Sequence, residues 1–180
     1  MLVKMNRQDY ELLTRVDLSK GCFEPLINVY KGRMKEETSI PISEMKEQFY
    51  KQLTEGQQAL FMFYVYYHHV SKSIPEFYWW SSYFMAQPKS WSALKASINY
   101  FDDDSFVSLL DKIELVLKRH DHPATLEAFT ITREYLNFNK ELQESNNSLY
   151  DEFNKIAPMT ICKINKYIEN NLQQFVEIYD

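Results

Sequence analysis

The sequence predicts an all-α protein, a single bundle of seven to nine helices around an aromatic-rich core. Three observations carry this prediction. The 180 residues include three glycines, at 21, 32 and 56, whereas strand-rich folds need more glycine and more turn chemistry. Apolar residues recur at spacings of three and four through most of the chain, the period of one helix face. The six prolines are dispersed, and most stand where a helix could begin. The length fits one domain over 1–180, with an N-terminal helical subregion over 1–40 and a main bundle over 43–180.

Near the front, Asn6 can cap a helix carrying Tyr10, Leu13 and Val16, with Gly21 just past its end. Pro25 then opens a short helix with Leu26 and Val29 or Tyr30, closed by Gly32, and Lys31 to Ile40 reads as a polar loop. From Ser43, the positions Met45, Phe49 and Leu53 are spaced by four, which is helical. Thr54 and Gln57 form a capping-box pair, each side chain able to bond the other's backbone N–H. The helix after them carries Leu60, Tyr64, Tyr67 and Ser71 on one face. Phe61, Phe63 and Val70 widen it until it is apolar over most of its girth, as central helices are.

Ser73 and Pro75 precede a helix over Glu76 to Ala86, with Phe77, Trp80 and Phe84 on one side and Tyr78, Trp79 and Tyr83 elsewhere on the same turns. Ser90 is placed to cap a helix with Trp91, Leu94, Ile98 and Phe101. Asp102, Asp103 and Asp104 end it and start the next, where carboxylates complement the positive helix end. That next helix has a stripe of Phe106, Leu109 or Leu110, Ile113 and Leu117. His120-Asp121-His122-Pro123 is a break. Leu126, Phe129, Arg133 and Leu136 then suggest a helix up to Leu142, and Glu144 to Ser148 a polar loop. Leu149, Phe153 and Ile156 give a short helix, and Pro158 starts a terminal one through Ile161, Ile164, Ile168, Leu172 and Phe175.

From about Leu53 to Val176 the order of segments resembles the bacterial family named for the DNA mimic protein C-terminal domain. The corresponding stretches are Gln57 to Val70, Ile74 to Phe84, Trp91 to Leu117 and Leu149 to Phe175. Phe77, Tyr83 and Phe84 stand for the family's Gly-Gly-Phe-x-Gln-Tyr-Phe signature, and Ile74 and Pro75 stand near the place of its glycine pair. Leu149 to Phe153, with Tyr167 and Ile168, are similar in character to the family's last helices. The resemblance implies a helical protein that offers acidic groups where a DNA-binding partner expects phosphates, and it supplies no catalytic residues.

Composition narrows the function classes. Hydrophobic residues at 45% and aromatics at 16% exclude a disordered acidic tail, and a formal charge of −5 excludes a binder that neutralises many phosphates. The longest apolar run, Ala59 to Tyr67, is nine residues, far short of the roughly 20 that span a membrane. With no secretory stretch at the start, a cytoplasmic setting is expected, with Cys22 and Cys162 as reduced thiols and Cys162 as a small core residue. The Lys-, Asn-, Ile- and Tyr-rich composition fits an AT-rich bacterial or phage genome.

Charge is uneven: residues 1–89 hold 10 acids and 11 bases, residues 90–180 hold 15 and 9. Asp102, Asp103, Asp104, Asp111 and Glu114 crowd thirteen positions of the acidic half and could attract a partner with a basic surface. The plainer reading is that they are helix caps and a solvated face. The aromatic run offers Trp79, Trp80 and Tyr83 as anchors, because adjacent tryptophans cannot both face one core from one helix. Burial between two neighbouring helices is the plainer reading.

The enzyme-like signal is His120-Asp121. With His68 or His69 before it and Asp151 after, it follows the order of helical metal-dependent hydrolases, although Pro123 places the pair at a helix edge. His68 and His69 are adjacent and point about 100° apart, so they cannot chelate one ion together; one is expected to pack on the aromatic core with a hydrogen bond. Small-ligand binding in a pocket walled by Trp79, Trp80 and Trp91 is a further alternative. The leading expectation is a non-enzymatic protein-interaction module, of the immunity, antitoxin, counter-defence or DNA-mimic kind. It would use the acidic second half, the aromatic helix or both. No cofactor, resident metal, membrane or direct nucleic-acid contact is implied, and oligomeric state stays open.

Overall fold

A computed structural model describes residues 3–13, 17–36 and 39–180. Among them the chain forms eight α-helices, two short 3-10 helices and two four-residue strands, so the all-α class holds and the helix number falls in the expected range. In order these are β1 (Val3–Asn6), α1 (Arg7–Leu12), α2 (Leu18–Glu36), α3 (Ile42–Lys51), α4 (Glu55–Val70), α5 (Ile74–Met85), α6 (Pro88–Tyr100) and α7 (Asp104–Arg119). A 3-10 helix (Arg133–Phe138), α8 (Lys140–Asn170), a 3-10 turn (Leu172–Gln174) and β2 (Val176–Tyr179) complete the chain. It divides into two compact units, Met1–Phe61 with Ile161–Asp180, and Met62–Thr160, the divisions falling inside α4 and α8.

In the first unit the capping signals work as read. The Asn6 side chain accepts from the Gln8 N–H at 2.7 Å and starts α1. The Thr54–Gln57 box closes reciprocally, with both bonds at 3.2 Å. The same two side chains also donate to the Gln174 and Phe175 carbonyls, the latter at 2.8 Å, and so fix the turn that leads into β2. Asn165 on α8 accepts from the Ser19 N–H at 2.8 Å, satisfying one of the four amides left open at the start of α2. Phe23, Phe49, Phe61 and Tyr30 pack at centroid distances of 5.3–5.9 Å to form the aromatic centre of this unit.

Strands β1 and β2 pair in parallel, Val3 opposite Val176 and Asn6 opposite Tyr179. The terminal helix therefore does not reach Leu172 and Phe175: it stops at Asn170, and Phe175 is buried in the turn. Gly21, Pro25 and Gly32 do not punctuate either, since all three lie inside α2. A Cβ at Gly21 would stand 2.8 Å from the Leu13 methyl carbons, so this glycine permits a close approach and ends nothing. Proline inside a helix costs about 3 kcal/mol, and burial of Cys22, Phe23 and Leu26 around Pro25 offsets it. Lys31–Glu36 is helical, and Val16 lies outside the described residues.

The second unit is built on aromatic and aliphatic stripes. Phe106, Leu109, Leu110, Ile113 and Leu117 of α7 are all at most 1% exposed, as their spacing requires. Phe153 of α8 meets Phe77 at 5.6 Å, Phe106 at 6.1 Å and Tyr67 at 6.1 Å. Ser73 caps α5 by accepting from the Glu76 N–H. Ser90 caps nothing; α6 begins two residues earlier at Pro88, whose missing N–H suits a first position.

The expected helix from Leu126 and the loop over Glu144–Ser148 are both corrected. Residues 122–132 are irregular and lead into the 3-10 helix, whereas α8 runs through Glu144–Ser148 and through Pro158. Asn146 is buried and donates to the Leu142 carbonyl one turn back at 2.9 Å, so its amide is satisfied within the helix. Pro158 is exposed, which leaves the carbonyl it frees accessible to water.

Candidate functional site

Helix α5 and the irregular connection from His120 to Asn139 form the most heavily built side-chain cluster of the second unit. Trp79 and Tyr83, one turn apart, stack at 5.1 Å with rings 8° from parallel, and Phe129 packs edge-on against both. The Arg133 guanidinium sits 4.4 Å over Trp79 and forks onto Glu76, which also accepts from the Trp80 indole at 2.9 Å. Arginine's donors hold the Glu76 carboxyl below the usual range. The Trp79 indole donates to the Ile131 carbonyl at 2.9 Å.

At the start of the connection, His122 is 7% exposed. Its Nδ1 faces the His120 carbonyl at 3.2 Å and carries the proton, so Nε2 accepts from the Tyr78 hydroxyl at 2.7 Å. Burial keeps this imidazole neutral by lowering its pKa, and burial likewise raises that of Tyr78. Asp121 turns the chain in the left-handed region with φ 55°, a conformation aspartate tolerates better than most residues.

The structure thus places Trp79, Trp80 and Tyr83 together, half-buried, with both indole N–H groups committed to protein acceptors. Trp91 is buried and donates to Glu114 at 2.9 Å. None of the three indole N–H groups is left over for a small ligand. Of the acidic candidates, Asp102, Asp104 and Asp111 are exposed, and Asp102 makes the turn before α7 with φ 54°. Asp103 points inward: it is 2% exposed and accepts from the Thr160 hydroxyl at 2.7 Å. Glu114 is clamped by Lys118 and Lys95, which hold its carboxyl down to about 2, and Lys95 also bridges to Asp111. Of the five acids, Asp103 is therefore turned inward, and Glu114 and Asp111 are paired with lysines.

The histidines are dispersed. His69 stacks on Trp80 at 3.6 Å and 21°, the packed partner of the pair, but its buried Nδ1 has no hydrogen-bond partner, which departs from the expected bond. His68 is exposed. His120 ends α7 and lies 3.4 Å from the Asn139 amide. Among the described residues no three His, Cys, Asp or Glu side chains gather where they could hold a metal ion. Cys162 is exposed, not a core residue, because α8 continues through Pro158 and turns it outward, while Cys22 is the buried thiol.

Two exposed aromatics have no place in the pattern the sequence offers, Tyr135 and Phe138, 42% and 85% exposed, and Leu126, expected on a helix face, is 43% exposed. The expected helix face holds Leu126, Phe129, Arg133 and Leu136 and passes over both aromatics, since a 3-10 repeat of three and an α repeat of three or four coincide over so short a stretch. Among the described residues no helix is long and apolar enough to cross a membrane. Compared with known families, curated proteins and solved structures, the chain matches none.

Proposed function

We propose that the chain is a non-enzymatic protein-interaction module that binds a partner with a basic surface through its acidic Met62–Thr160 unit. The observation that supports this is the series of exposed carboxylates on successive elements of that unit. They are Asp102 and Asp104 before and at the start of α7, Asp111 on it, Asp121, Glu127 and Glu134 on the connection, and Glu141, Glu144 and Asp151 on α8. This unit holds 13 acids and 9 bases, against 12 and 11 in the other. An excess of that sign raises the encounter rate with basic surfaces. An immunity, antitoxin, counter-defence or DNA-mimic-like role in a bacterial or phage setting fits this reading.

The test is affinity capture from nuclease-treated lysate of the native host at low and high salt, with the wild-type chain and a triple variant Asp102→Lys, Asp104→Lys, Asp111→Lys. A stoichiometric protein partner that dissociates at high salt and is lost from the variant supports the reading, because screening weakens exposed charge pairs. Identical capture by both chains, or none, overturns it.

A further inference from the structure

The 3-10 helix Arg133–Phe138 has three residues per turn, so positions three apart lie on one face. One face holds Arg133 and Leu136: the first forks onto Glu76, the second is 3% exposed, and together they fasten the helix to the unit. A second face holds Glu134 and Asn137, both exposed. The third holds Tyr135 and Phe138, exposed at 42% and 85%, although they are the largest apolar side chains of the segment. A helix pinned so firmly on one face presents the other two in a fixed direction. Leu126, 43% exposed, adds an aliphatic side chain on the same connection.

The chain on either side of this aromatic pair is rich in exposed carboxylates. Asp121, Glu127, Glu134 and Glu141 are exposed along the connection and the start of α8. Of the bases along this stretch, Arg133 is committed to Glu76, whereas Lys140 makes only an exposed 3.7 Å contact with Glu144, so the exposed carboxylates outnumber the bases without being matched by them. A rigid aromatic knob with carboxylates around it is the complement of an apolar pocket rimmed by lysine or arginine. Aromatic side chains of this kind carry much of the energy of protein interfaces, and rim charges set the encounter rate.

We infer that Phe138 and Tyr135 form the anchor of the interaction surface, and that its occupant is a protein presenting an apolar pocket with a basic rim. This rests on the proposed protein-binding function and narrows it to one element and one partner chemistry. The acidic knob opposes self-association, since a second copy would bring like charges together.

The experiment places a photoreactive benzoylphenylalanine at position 138 in one full-length chain and at position 12 in another, Leu12 being 79% exposed in the other unit. Both are irradiated in native-host lysate, and the crosslinked peptides are mapped. A product specific to position 138 supports the inference if it is mapped to an apolar site flanked by lysine or arginine, weakens at high salt and falls about tenfold or more in competition with wild-type chain but not with Phe138→Asp chain. Circular dichroism of the Phe138→Asp chain confirms that the competitor is folded. A product shared with position 12, a crosslink to an acidic site or to a second copy, or no product at 138 overturns it. Capture of a salt-sensitive partner by wild-type chain without a crosslink at 138 would leave the protein-binding function standing and remove this surface alone.

Discussion

The Met1–Phe61/Ile161–Asp180 unit and the Met62–Thr160 unit use their buried and half-buried polar side chains differently. In the first, Asn6, Thr54, Gln57 and Asn165 all bond to backbone groups: they cap helices or hold the turn before β2. The second has such bonds too, as from Asn146 and Trp79, and adds to them pairs in which side chain meets side chain. Tyr66 bonds to Ser81, Tyr78 to His122, Thr160 to Asp103, and Trp80 and Arg133 share Glu76. The first arrangement fixes where elements start and stop. The second joins particular pairs of elements and orients a cluster of aromatic rings near the surface, the arrangement a recognition face needs. Net charge follows the same division, near neutral in the first unit and acidic in the second.

The contrast can be broken most forcefully in the cores. Phe49→Ala and Phe153→Ala each remove a side chain 1% exposed and are expected to cost about 3–5 kcal/mol in denaturant unfolding. Amide exchange read peptide by peptide should place the lost protection mainly within 1–61 and 161–180 for the first, and within 62–160 for the second. Equal loss throughout for both would dissolve the distinction between the units.

A smaller effect sharpens it. Gln57→Ala strips the Phe175 carbonyl and the Thr54 N–H of their partner, at about 1–3 kcal/mol, and should raise exchange in β1 and β2. Tyr78→Phe leaves the His122 Nε2 without its donor, at about 1–2 kcal/mol, and should raise exchange over 120–139. If either substitution loosens the other's segment instead, the division between backbone anchoring and side-chain pairing is wrong.

Acid should weaken the second unit in two stages. His122 has a pKa below the ordinary 6.5 because burial disfavours its charged form; its stabilisation is complete above that value and declines as pH falls further. Glu114, held at about 2 against an ordinary 4.5, contributes fully above 4.5 and loses its contribution as pH falls towards 2. Thermal melts across this range should therefore show Glu114→Gln flattening the slope below pH 4.5 without altering the stage nearer neutrality. An unchanged acid slope in that variant would count against the Lys95–Glu114–Lys118 clamp.

The smallest expected effect is chemical. Cys162 is exposed and should react readily with a thiol reagent, whereas Cys22, 1% exposed with its thiol pushed up to about 12 by burial, should label only on unfolding. Cys162→Ser should leave stability within about 0.5 kcal/mol. Rapid labelling of Cys22 would place it in a more open environment than the rest of its unit.

Legibility in the sequence followed the same line as the polar bonding. The Asn6 cap, the Thr54–Gln57 box and the α7 stripe depend on residues within a few positions of each other, and all three were readable. Gly21, Pro25, Gly32 and Pro158 look like boundaries from local propensity alone but lie inside helices, because burial of neighbouring apolar side chains overrides it. The strand pair joins residues 173 positions apart and left no local mark. The Glu76–Arg133 fork, 57 positions apart, is equally invisible in the sequence, where Arg133 reads only as one position of an apparent helix. Burial of Asp103 depends on Thr160, also 57 positions away, so an acidic run that looked uniform contains one inward-facing member.

The parallel pairing of β1 with β2 also sets an order of events during synthesis. The residues of β1 leave the ribosome 173 positions ahead of their partners at 176–179. At about 5–20 residues per second, β1 waits roughly 10–30 s for its strand, while the uninterrupted 62–160 segment can begin to fold as it emerges. Val3 and Met5, buried in the finished fold, are without their β2 partners throughout that interval. The nascent chain therefore carries β1 unpaired, with Val3 and Met5 uncovered by β2, until residues 176–179 have been made, and that interval is when a holding chaperone would find it.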